Sequence, residues 1–152
     1  MTDTAGTRDR VVSLLVRGLA DLQALAADVV SATAPGDLLV LTGPLGAGKT
    51  TFVQSLAAAL GSGAAVNSPT YTLVHEYPVP GSVLVHVDLY RLGAAAPLEA
   101  LGLDDYLDRA RLVAVEWGEP LLALYPAAHH LALAPVPGDE SARTVTWRRP
   151  HT

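Results

Sequence analysis

The chain has 152 residues, half of them apolar and 16% charged, with a mean hydropathy of +0.31. That composition excludes intrinsic disorder; no apolar run approaches the roughly 20 residues of a membrane span; and the absence of cysteine excludes a disulfide framework, a zinc–thiolate site and a cysteine nucleophile. A net charge of −5 and a pI near 5.4 argue against broad charge-driven nucleic-acid binding, leaving contact through a partner open. With no obvious linker, residues 1–152 are expected to form a single domain. Met1 to Arg17 alternates charged and apolar residues and lacks the apolar core of a signal peptide, so a cytoplasmic location is expected.

In chain order, Val11 to Val16 has strand character. Leu22, Leu25, Ala26 and Val29 then recur at helical spacing, with Asp21 as the expected N-cap and Pro35-Gly36 as the stop. Leu38 to Leu41 is a continuous apolar run, the pattern of a strand buried on both faces of a parallel sheet. A Gly-rich loop from Gly43 to Lys49 follows, then a helix over Thr51 to Leu60 with Phe52, Val53, Leu56 and Leu60 on one face. Leu73 to Tyr77 and Val83 to Asp88 are expected strands joined through Val79-Pro80-Gly81-Ser82. A short helix is expected over Pro97 to Leu101 and a further turn over Asp104 to Leu107, separated by Gly102. Leu112 to Trp117 is another buried strand and Pro120 to Leu124 a short helix. Leu131 to Leu133 and Arg143 to Trp147 are late strands around a Pro137-Gly138 turn, and no internal repeat is present.

Gly43-Pro44-Leu45-Gly46-Ala47-Gly48-Lys49-Thr50 satisfies the phosphate-loop pattern G-x-x-x-x-G-K-[ST] at every fixed position. Such a loop wraps phosphate with backbone N–H groups, so glycine is favoured at the closest approach. The helix that follows turns its positive dipole end toward the anion. Lys49 is suited to the β- and γ-phosphates and the Thr50 hydroxyl to Mg²⁺. Lys49 is also the only lysine, the other nine basic residues being arginines. At ordinary residue frequencies the pattern arises by chance roughly once in a few hundred chains of this size. The flanking strand and helix supply the context that separates it from a Gly-rich turn that binds nothing.

A phosphate loop needs a partner carboxylate, usually at the end of an apolar strand. Asp88 ends one such run and Glu116 another, and both strands are expected beside the loop strand, with both acids at its carboxyl edge. Trp117, next to Glu116, is suited to stacking on a base, to locking the acid, or simply to packing. Ser68-Pro69-Thr70-Tyr71-Thr72 has the makings of a switch segment that brings a Thr hydroxyl, Thr70 being the candidate, near the γ-phosphate; a plain hydroxyl turn is the alternative. His75 and His86 read as strand-face residues, and no spacing supports a zinc site. Arg148 and Arg149 are either a solvated tail or a partner contact.

These pieces together resemble one family. The motifs Gly43 to Phe52, Ser68 to Leu73, His86-Val87-Asp88-Leu89-Tyr90-Arg91-Leu92 and Glu116-Trp117-Gly118-Glu119 are similar to those of the TsaE (YjeE-type) ATPases of bacterial tRNA threonylcarbamoyladenosine synthesis. The resemblance implies an α/β, three-layer P-loop NTPase fold with a mixed, partly parallel central sheet flanked by helices. It implies ATP and Mg²⁺ as cofactors, and ATP hydrolysis in support of a TsaB–TsaD complex that modifies adenosine 37 of ANN-decoding tRNAs, so that tRNA is met indirectly. It assigns Thr50 and Glu116 to Mg²⁺ and Asp88 to the γ-phosphate or its water. Lys49 and Thr70 are the other candidate catalytic residues. Residues 43–51 (Gly43, Pro44, Leu45, Gly46, Ala47, Gly48, Lys49, Thr50 and Thr51) together with Trp117 would line the nucleotide. The chain departs from the pattern at Pro44, where a polar residue is expected, and in an N-terminal helix without the expected Thr and Gly.

A small-molecule kinase is the rival enzyme, but its usual arginine-bearing lid is missing, since Arg91 is the only arginine between Thr50 and Arg109. A GTPase reading fails because the only asparagine, Asn67, does not lie in a guanine-binding motif. A nucleotide-sensing interaction subunit is the non-enzymatic alternative.

Overall fold

The structure is a computed structural model and describes residues 10–44, 46–63, 74–89 and 102–150. The expected helix over Pro97 to Leu101, the segment Ser68 to Thr72 with Thr70, and Leu45 lie outside the described residues. The described elements are β1 (Arg10–Arg17), α1 (Gly18–Ala32), β2 (Asp37–Thr42), α2 (Lys49–Ala59), β3 (Val74–Val79), β4 (Ser82–Asp88), α3 (Leu103–Arg109), β5 (Leu112–Glu116), α4 (Leu121–Leu124), β6 (His129–Val136) and β7 (Asp139–Arg149). The strands form one seven-stranded sheet in the order β1-β7-β6-β2-β5-β4-β3. β2 is parallel to both β5 and β6, and β4 is parallel to β5. The β3–β4, β6–β7 and β1–β7 pairs are antiparallel, so the sheet is mixed as expected.

Strand alternation divides the apolar residues of β2 between two cores. Leu39 and Leu41 face α1 and α2, meeting Leu25, Val29, Phe52 and Leu56. Leu38 and Val40 face the other side, with Leu103 of α3 and Leu121 of α4. Helices thus cover both faces of the parallel centre, which is why β2 and β5 read as unbroken apolar runs. Arg111 fixes the end of α1: its Nη2 donates to the carbonyls of Val30 and Thr33, both at 3.0 Å, satisfying groups the helix leaves open.

Several boundaries differ from expectation. Asp21 is not the N-cap of α1. Arg17 is, and the Asp21 carboxylate reaches back from the first turn to accept the Arg17 N–H at 2.9 Å. β3 runs on to Val79 through Pro78, which an edge strand tolerates because its outer side needs no N–H donor. The hairpin turn contracts to Pro80-Gly81, with Gly81 at φ 73°. β6 and β7 are far longer than the apolar runs suggested, since antiparallel pairing carries polar residues on the open face. Arg148 and Arg149 therefore belong to β7 rather than to a tail, and Arg149 stacks on Trp147. β4 does not adjoin β2, because β5 lies between them.

Phe52 is fully buried between α2 and the sheet. Phe52→Ala is expected to destabilise the fold by about 3–5 kcal/mol through lost burial and a residual cavity. Urea denaturation measures it, and a loss under about 1 kcal/mol contradicts the packing described.

Candidate functional site

The site grows from the carboxyl end of β2. The chain leaves Thr42 into the Gly-rich loop and enters α2 at Lys49. Gly43 has φ 141°, and a Cβ there would lie 2.3 Å from the Leu133 carbonyl oxygen of β6. Glycine is therefore required by the close passage of β6, beyond any demand of a ligand. The Ala47 N–H closes the loop on the Pro44 carbonyl at 3.1 Å. Gly48 takes a left-handed conformation, φ 102°, as the N-cap of α2, so the first N–H groups of the helix open toward the loop.

Lys49 is buried, and its ammonium donates to the Gly43 and Pro44 carbonyls at 2.5 and 3.0 Å. The same ammonium sits over the Trp117 ring, 4.0 Å from its centroid. Burial lowers the pKa of Lys49, while the carboxylates of Glu116, Glu119 and Asp88 oppose that shift.

Glu116 and Asp88 both reach the carboxyl edge of the sheet. The parallel register sets Leu41 beside Glu116 and Asp88 beside Glu116, so the two acids are cross-strand neighbours, with Glu116 the nearer to the loop. The Thr50 hydroxyl donates toward both oxygens of Glu116, at 3.2 and 3.0 Å. A hydroxyl against a carboxylate is the all-oxygen donor set a hard divalent cation takes, and Thr50 and Glu116 fit Mg²⁺ on that chemistry. Thr51 is exposed on α2 and lines a cleft of about 190 Å³ that also includes Val16, Gly18, Leu22 and Arg143.

Trp117 does not extend β5; half-buried, it packs against the core that holds Leu38 and Val40. The strand ends at Glu116, and Trp117 turns out at φ 60°, its N–H donating to the Leu41 carbonyl at 3.1 Å. It is the only non-glycine residue at positive φ among those described. That conformation costs roughly 1–3 kcal/mol and delivers the indole to Lys49.

Two residues of the site were given no role in it by sequence reasoning: His86, read only as a strand-face residue, and Arg143. His86 is fully buried, and its Nε2 donates to Glu116 Oε2 at 2.5 Å. Its Nδ1 has no partner among the described residues, which fits the tautomer carrying hydrogen on Nε2 and a bare lone pair on Nδ1. The alternation His86-Val87-Asp88 was the available signal, since it sets His86 and Asp88 on one face of β4. Arg143 of β7 donates to the loop carbonyls of Ala47 and Gly46 at 3.0 and 3.2 Å, and nothing local in the sequence marks it.

The fold and the site define a class: a mixed α/β protein in which a glycine-rich G-x-x-x-x-G-K-T loop joins the central parallel strand to a helix. The family model described as threonylcarbamoyl adenosine biosynthesis protein TsaE matches residues 16–145, and the chain belongs to that family. The Bacillus subtilis "tRNA threonylcarbamoyladenosine biosynthesis protein TsaE" is 36% identical over 127 residues, covering 84% of this chain and 78% of that protein. The Haemophilus influenzae protein of the same name is 41% identical over 91 residues, covering 60% of this chain and 58% of that protein's length. Among solved structures, YdiB of Bacillus subtilis superposes with a TM-score of 0.72 at 27% identity, covering 94% of this chain and 88% of that one.

Gly43→Ala is expected to push the loop off β6 while the remaining core stays folded and, if the loop binds nucleotide as its motif implies, to abolish that binding. Titration with a fluorescent ADP analogue, beside a circular dichroism melt, measures both; wild-type affinity in the variant contradicts the close approach to Leu133.

Proposed function

We propose that the chain binds ATP with Mg²⁺ and hydrolyses it, slowly when isolated, in the service of a TsaB–TsaD-type complex. That complex places a threonylcarbamoyl group on adenosine 37 of tRNAs reading ANN codons. Family membership ties the chain to tRNA threonylcarbamoyladenosine biosynthesis. The observation that carries the ATPase reading is the Thr50 hydroxyl held against both oxygens of Glu116 beside the buried Lys49.

On this reading the loop N–H groups and the α2 N-terminus bind the phosphates, and Lys49 moves from its own loop carbonyls to the β- and γ-phosphate oxygens. Thr50 and Glu116 would hold Mg²⁺, which would neutralise charge on the phosphates. Asp88 orients the attacking water, and His86 keeps Glu116 turned toward Thr50. Trp117 steadies the ammonium. Thr70, in the Ser68 to Thr72 segment, is the hydroxyl proposed to meet the γ-phosphate.

Lys49→Ala is expected to lower turnover by about 10²-fold or more, since a charge stabilising the transition state is lost. Asp88→Asn is expected to leave ADP affinity within about threefold and to reduce hydrolysis by at least tenfold, the pattern of an interaction made mainly in the transition state. The deciding experiment is steady-state ATPase with and without TsaB and TsaD, run alongside multi-turnover modification of tRNA. Modification that proceeds equally well without this protein overturns the role. Phosphorylation of a small metabolite far above basal hydrolysis would replace it with a kinase.

A further inference from the structure

We infer that Arg143 is a positioning residue that presets the phosphate loop by clamping two successive peptide planes from β7. The inference rests on the loop being a phosphate site and concerns a residue some hundred positions away from it in sequence. The guanidinium donates through Nε to the Ala47 carbonyl at 3.0 Å and through Nη2 to the Gly46 carbonyl at 3.2 Å. Its third nitrogen, Nη1, is fixed on its own hairpin, donating to the Glu140 and Ala142 carbonyls at 2.9 and 2.8 Å. All three guanidinium nitrogens are thus engaged, which holds the planar group in one orientation.

Peptide planarity carries the consequence to the ligand side. In a trans peptide the C=O and the following N–H point in opposite directions. With the Gly46 carbonyl on Arg143, the Ala47 N–H points away from β7, where it closes the loop on Pro44 at 3.1 Å. With the Ala47 carbonyl on Arg143, the Gly48 N–H likewise points away from β7, at the mouth of the loop where α2 begins. The two bonds therefore decide the direction of an N–H that a phosphate needs. The freedom of Gly46, Gly48 and Gly43, all at positive φ, makes an external clamp necessary, because the loop's own torsions do not restrict these planes. Lysine cannot replace it, since an ammonium is a point donor and does not bridge two carbonyls while anchored to a third and fourth.

Arg143→Ala is expected to keep the fold and to weaken ADP binding by about tenfold or more, since two charge-assisted hydrogen bonds set the free loop's geometry. The control is Arg17→Ala, which removes the 2.7 Å pair to Asp139 at the same hairpin without touching the loop. It should leave ADP affinity unchanged. The mechanism is read directly by ¹⁵N relaxation of the Gly46, Ala47 and Gly48 amides in the nucleotide-free protein. These should become mobile in Arg143→Ala and stay ordered in Arg17→Ala. An ordered loop in Arg143→Ala, an equal loss of affinity in the control, or full recovery by Arg143→Lys each overturns the clamp. If the wild-type chain binds no ADP, the phosphate-site reading fails, and the amide relaxation still decides whether Arg143 orders the loop.

Discussion

The parallel pairing of β2 with β5 is the constraint on which the rest of the site depends. It sets Leu41 beside Glu116 at the last paired position, so the carboxylate emerges level with the start of the phosphate loop. One residue of slippage would turn Glu116 to the other face of the sheet and put an apolar side chain beside Thr50. The register is secured on both sides. Leu38 and Val40 are buried under α3 and α4, while Leu39 and Leu41 are buried under α1 and α2, so no shift keeps both cores filled. The second neighbour, β6, then passes close enough to Gly43 to exclude a side chain there. Packing of the central strand thus fixes the geometry of the site as a by-product of filling two cores.

Much of this was legible because the central elements obey local rules. The unbroken run Leu38 to Leu41, the glycines of the loop and the apolar face of α2 each have one physical explanation, and the explanations agree. Asp88 and Glu116 were found because apolar strands ending in an acid are conspicuous. What the sequence hid was pairing. No periodicity says that β5 inserts between β2 and β4, and β6 and β7 were underestimated because their open face carries Thr144, Thr146 and Arg148. Asp21 looked like a cap because its spacing to the apolar face was right, yet the helix starts one turn earlier and the acid reaches back. Trp117 read as strand because it follows closely on the apolar run Leu112 to Val115, and its left-handed backbone has no sequence signature at a non-glycine residue.

The polar centre is expensive in the folded state. Lys49, Glu116 and His86 are all buried, and removing such groups from water is offset only when each is hydrogen-bonded. Here Glu116 accepts from Thr50 and His86, and Lys49 donates to two loop carbonyls and lies on an indole face. Burial lowers the pKa of Lys49, and the carboxylates of Glu116, Glu119 and Asp88 only oppose that shift, while its hydrogen bonds go to backbone carbonyls. The ammonium is consequently held by neutral acceptors, which a phosphate outcompetes more readily than it would a carboxylate. A site organised in this way keeps its cation available for an anionic ligand.

The same logic explains why strain is placed at Trp117 and not elsewhere. A β5 strand that continued past Glu116 would carry the next side chain along the sheet edge, away from α2. Turning the backbone to positive φ at residue 117 instead swings the indole over Lys49, and the 3.1 Å bond from its N–H to the Leu41 carbonyl holds the turned peptide on the loop strand. Glycine would take that φ more easily but would offer no ring, and it follows immediately at Gly118, where a Cβ would lie 3.0 Å from Val40 Cγ1. The order Trp-Gly is therefore not interchangeable. The residue that must face the lysine accepts the backbone cost, and the residue that must pass over Val40 gives up its side chain.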